Sequence, residues 1–165
     1  MKKIILLLLG CSCLIQLHAQ PNASGSVAIF KDVAVGKAFA NVKQKNWVAQ
    51  STAANGVTQY NYKGKSDVEN IPGFANVACK VQVNEKGMIQ KWEAKQVFTQ
   101  TNEAVALDVW TNLQNHFSQI FGAIEVNQPN ELVWYGNGLL LGIQREKNAQ
   151  GNWEITCYSA SLALY

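Results

Sequence analysis

The residues of this sequence that could do chemistry are few and stand apart. His18 and His116 are its two histidines, and His18 falls in an N-terminal stretch that reads as an export leader. To act as a general base, His116 needs an orienting partner and a nucleophile within reach. Asp108 lies about two helical turns away, and Ser118 is only two residues on and so faces elsewhere. No Gly-x-Ser-x-Gly elbow occurs. His116 therefore reads as a partly exposed helix residue. Glycosidases use two carboxylates about 5–10 Å apart across a cleft. Glu93 and Glu154, each following a tryptophan, are the pair that could meet, but the simpler reading makes them strand residues opposite lysines. One mature histidine and two mature cysteines do not supply a zinc site, and no acidic run has calcium-loop spacing. Gly136-x-Gly138 lacks a phosphate-loop lysine and reads as a turn. No catalytic residue, cofactor or metal is expected.

The leader sets the compartment. Met1-Lys2-Lys3 is a short basic start, Ile4 to Leu9 is an apolar run, and Leu17-His18-Ala19 is a cleavage site ahead of Gln20-Pro21. That is the layout of a signal peptide over residues 1–19, too short to span a membrane, and it predicts a periplasmic or secreted protein. An alternative is open: Leu8-Leu9-Gly10-Cys11 has the look of a lipobox, and cleavage there would leave a lipidated Cys11 on an outer-membrane lipoprotein. Cleavage after Ala19 leaves 12 basic against 11 acidic residues, a net charge of +1. Such a balance gives no electrostatic footprint for nucleic acid or anionic lipid. Cys79 and Cys157 remain, and two cysteines in an exported domain predict one disulfide. Closing that 78-residue interval would contribute at most about 4.5 kcal/mol.

The elements follow from patterning. Residues 20–26 are small and polar and are expected to be a disordered leader; 27–35 is open between extended and helical. Phe39 and Val42, ringed by lysines, predict a short amphipathic helix over 36–45. Trp47–Ala53 and Val57–Lys63 flank Asn55-Gly56, a strong hairpin signal, and 64–73 reads as a loop. Val77, Cys79, Val81 and Val83 alternate with polar neighbours, which predicts a strand with one buried face. A turn at 85–87 leads to a second strand over 88–98. Residues 102–121 carry Leu107, Trp110, Leu113, Phe117, Ile120 and Phe121 at helical spacing, with Gly122 at the stop. Strands over 131–135, 139–146 and 153–162 complete the order. Two stretches echo one another, Val81–Lys86 then Trp92-Glu93, and Ile143–Lys147 then Trp153-Glu154.

Phe39-x-x-Val42…Trp47, Gly56…Tyr62-Lys63-Gly64, Cys79-x-Val81 and a helix ending Phe121-Gly122 resemble a group of small exported proteins of Bacteroidota. The order of elements is also similar to the tandem repeat of beta-lactamase inhibitory proteins and a related outer-membrane assembly lipoprotein fold. The order of elements predicts, and the resemblance supports, an α+β fold: residues 27–165 as one domain of two helix-plus-antiparallel-strand repeats (27–98 and 99–165), helices packed on one face. The resemblance carries no catalytic motif. The aromatic pairs Tyr60 with Tyr62 and Trp134 with Tyr135 are either core or anchors for a partner. The expected function is a non-enzymatic exported protein that binds a protein partner as inhibitor, immunity protein or envelope accessory factor. A small-ligand or glycan binder is the alternative, and a small hydrolase the third reading.

Overall fold

The computed structural model describes residues 33–42, 44–68 and 71–164. The leader, the Cys11 alternative and residues 20–26 lie outside the described residues. Eight strands form one antiparallel sheet: β1 (Trp47–Thr52), β2 (Thr58–Tyr62), β3 (Ala78–Val83), β4 (Ile89–Phe98), β5 (Val126–Gln128), β6 (Glu131–Gly136), β7 (Leu139–Lys147) and β8 (Trp153–Ser161). Their order is β1-β2-β3-β4-β8-β7-β6-β5, so two four-strand meanders meet where β4 pairs with β8. The one α-helix among the described residues, α1 (Glu103–Phe121), bridges the meanders in sequence.

This largely β architecture corrects the expected α+β fold of two helix-plus-strand repeats. Both halves contain a strand meander, but only the second has an α-helix among the described residues. Where a helix was expected over 36–45, two single 3-10 turns occur, Phe39–Asn41 and Gln44–Asn46. The backbone groups explain why. Gly36 N–H bonds to Ile89 O (2.8 Å), Ile89 N–H to Lys37 O (2.9 Å) and Phe39 N–H to Gly87 O (2.9 Å). The segment thus spends its hydrogen bonds on the β3–β4 hairpin. A stretch of about ten residues is too short to hold a helix by propensity against such pairing.

The helix that does form buries Ala106, Val109, Trp110, Leu113 and Phe117. Leu107, expected on that stripe, is 54% exposed. α1 ends at Gly122, whose positive φ of 85° suits glycine and whose N–H bonds to Ser118 O. It packs on one face of the second meander, with Phe117 edge-on to Trp134 at 5.8 Å. The same face of the first meander is covered by irregular chain. Phe39 and Val42 come from the 3-10 segment, and Val68, Ile71 and Phe74 from the loop after β2. Gln96 anchors that loop by accepting from Ala75 N–H at 2.9 Å. The inward residues of β3, β4, β7 and β8 alternate as strand geometry requires, with Trp92, Trp134, Leu141, Ile143 and Ile155 fully buried. Among the described residues the opposite face carries no helix.

Candidate functional site

The helix-free face is organised along one row of side chains that crosses seven strands. Register places Ser51 beside Gln59, Gln59 beside Gln82, Gln82 beside Lys91, Lys91 beside Ala160, Ala160 beside Leu140 and Leu140 beside Tyr135. The row is polar across the first meander and apolar across the second. Both register irregularities of the sheet flank its polar half. One lies between Ala49 and Ser51 on β1, the other opposite Gln82 and Val83, where β4 inserts Gln90. A bulge bends its strand and adds twist. Two of them at one level leave a shallow concavity of about 410 Å³, lined by Ser51, Asn55, Gln59, Gln82, Gln90 and Lys91. Gln90 Oε1 is buried without a hydrogen-bond donor among the described residues.

Lys91 joins the two halves of the row. Its Nζ lies 2.7 Å from Glu93 Oε1 and 5.5 Å from the centre of the Tyr158 ring. Tyr158 lies across Gly142, where a Cβ would fall 2.2 Å from the ring, and its hydroxyl donates to Glu131 Oε1 at 2.9 Å. Glycine at 142 is what allows the ring to lie flat on the sheet. Beyond it, Val133, Leu140 and Ala160 are buried on this face and Tyr135 is 40% exposed.

Of the four aromatics singled out by sequence, Tyr135 alone stands on this face as an exposed side chain. Trp134 points the other way and is fully buried against Phe117. Tyr60 and Tyr62 pack inward on Phe39 and Trp47, at ring distances of 4.5 and 5.2 Å. Those three belong to the core. Gln59, Gln82, Gln90 and Lys91 were missed. Their signal was a run of amides at alternate strand positions facing one side.

Cys79 and Cys157, the pair expected to form a disulfide, are free, buried thiols. Both stand beside Ala94, one on β3 and one on β8. Two strand spacings, about 9.5 Å, separate them, beyond the roughly 7 Å that a disulfide can bridge. Burial pushes the Cys79 thiol up to about 12 and Cys157 also well above its ordinary value, so both stay protonated and inert.

Glu93 and Glu154 do not form a catalytic pair. Glu93 is opposite Tyr158, four residues along β8 from Glu154, which puts them about 13 Å apart along the strand. Each has a lysine: Lys91 for Glu93, and Lys95 at 2.5 Å for Glu154. The hydrogen bonds from Lys95 and then Asn148 hold the Glu154 carboxyl below its usual range. His116 stacks edge-on against Phe117 at 5.3 Å, and partial burial lowers its pKa. Among the described residues no three His, Cys, Asp or Glu side chains converge as metal ligands do, and no helix is long and apolar enough to cross a membrane.

A second cleft, of about 80 Å³, lies by the start of α1 between Leu107, Arg145 and Trp153. Its cation is already engaged. Arg145 stacks 4.9 Å from the Trp110 ring and 5.9 Å from that of Trp153, and donates to Pro129 O from Nε and Nη2. This is a clip between helix and sheet. No family model, curated protein or solved structure matches the chain.

Proposed function

We propose that this is an exported, non-enzymatic binding protein that holds a protein partner against the helix-free face of its sheet. The observation that carries the reading is the row from Ser51 to Tyr135. It combines a bulge-built concavity, the Lys91–Glu93 ion pair at its centre and an exposed aromatic at its end on one face. Amide side chains offer donors and acceptors to a passing polypeptide, and tyrosine supplies contact area at small entropic cost. The leader over 1–19 supports action outside the cytoplasm.

The test compares mature protein with a variant carrying Tyr135→Ala and Gln82→Arg, used as baits on envelope and secreted fractions. One stoichiometric protein, recovered by the wild type and lost with the variant at unchanged melting temperature, is the expected result. Recovery equal for both baits, or of nothing, would overturn the reading. A small polar ligand or glycan is the second reading, favoured by one observation: the concavity has the volume of a small-molecule site. Native mass spectrometry with a glycan panel tests it directly.

A further inference from the structure

The two edges of the sheet are managed differently. β5 is three residues long, lies between Glu125 and Pro129, and has the Pro129 carbonyl tied to Arg145. A short edge ended by proline is a poor template for another strand. β1 has six residues, Trp47–Thr52, with no charge and no proline, and every one after Trp47 is exposed; its bulge between Ala49 and Ser51 twists the edge without covering it. Lys63 N–H bonds to Asn46 O (2.7 Å) and Ala53 N–H to Val57 O (2.9 Å). Those bonds fix the phase of the ladder, so the amides and carbonyls of Trp47, Ala49 and Thr52 point away from β2. The 3.0 Å approach of the Thr52 and Thr58 hydroxyls fits the closer, non-hydrogen-bonded rung. Among the described residues no strand pairs with that side of β1.

Charge singles out the same edge. Residues 33–98 hold nine lysines against four acidic residues, whereas 99–165 hold two basic residues against six acidic. Lys45 precedes the Trp47 end of β1 and Lys63 lies across from it, its N–H bonded to Asn46 O; both, and Lys65 two residues further on, are exposed. The ion pairs of the described residues involve Lys91, Lys95 and Lys147 instead.

We infer that β1 accepts an extended segment of the partner polypeptide as a ninth strand, with acidic residues of that segment lying beside Lys45, Lys63 and Lys65. The inference rests on the protein-partner reading above. Main-chain hydrogen bonds to Trp47, Ala49 and Thr52 supply affinity, and the lysines choose partner and register. A second copy fits less well, because antiparallel β1–β1 pairing sets each lysine cluster against the neutral Thr52 end.

The test uses a ten-residue peptide of alternating threonine and valine with three glutamates at one end, and the same peptide with glutamines there. Amide exchange is read on labelled mature protein at low salt. The glutamate peptide should slow exchange at Trp47, Ala49 and Thr52 at least tenfold, and the glutamine peptide much less. Combined Lys45→Glu, Lys63→Glu and Lys65→Glu should weaken binding about tenfold. Ala49→Pro removes an outward N–H that an edge strand can spare, and should abolish binding. Unchanged exchange, or equal binding of both peptides, overturns the inference. Protection that grows with protein concentration and no peptide also overturns it and makes a second copy the occupant. A partner captured through the sheet face while β1 amides stay unprotected would sink the strand addition and leave the face reading standing.

Discussion

The two meanders have the same number of strands and are finished in opposite ways. The second lies under a 19-residue helix, keeps unbroken register through β5, β6, β7 and β8, and together with that helix and its connection carries six of the eleven acidic residues. The first is covered by 3-10 turns and loop, contains both bulges, and is lysine-rich. A helix presents a regular ridge, and a regular sheet suffices to pack on it. Irregular cover demands a sheet that bends to meet it, and the bend leaves a concavity on the other side. The proposed binding surface is in this sense the reverse side of a packing solution.

Core truncations test that contrast most severely. Trp92→Ala in the first meander and Trp134→Ala in the second should each destabilise by about 3–5 kcal/mol, read by urea unfolding. Similar losses mean that loop cover packs as tightly as helix cover; a much smaller loss at Trp92 would break the equivalence. Gly142→Ala should cost about 1–3 kcal/mol by forcing Tyr158 off the sheet, and a Tyr158→Ala background should restore most of it. Lys95→Met, at the seam between the halves, should cost less than about 1 kcal/mol and flatten the acid limb of stability. The sign follows from Glu154: its folded pKa lies below the ordinary 4.5, so its contribution is full above that value and fades as pH falls through the lowered one. The smallest effect is expected of reductant. Unreduced protein in urea should alkylate at both Cys79 and Cys157, and its melting temperature should not change with dithiothreitol.

Much of the sheet was legible because its signals are local. Asn55-Gly56 does turn a hairpin, with Gly56 N–H bonded to Ala53 O, and the alternation from Val77 to Val83 does bury one face of β3. The helix over 36–45 failed because hydrogen bonding to Ile89 and Gly87 is a tertiary fact that Phe39 and Val42 do not announce. The site was partly readable. Adjacent residues of a strand face opposite sides, so Trp134 and Tyr135 could never both be surface anchors, and the bulkier one went inward. Tyr60 and Tyr62 do share a face, but which face receives cover depends on where residues 33–42, 66–68 and 71–77 fold back. The division of lysines from acids between the halves was present in the sequence and vanishes when the chain is summed to +1.

Pairings within each meander join strands that are neighbours in sequence. The β4–β8 seam is different: Phe98 meets Trp153 and Lys91 meets Ala160, so its partners are 55 to 69 residues apart. Chain entropy makes such distant closures slow relative to hairpins. Everything that distinguishes this molecule from two loose ribbons, including the single row from Ser51 to Tyr135, therefore awaits one late event in folding. Until the seam closes, the groove and its tyrosine belong to separate bodies.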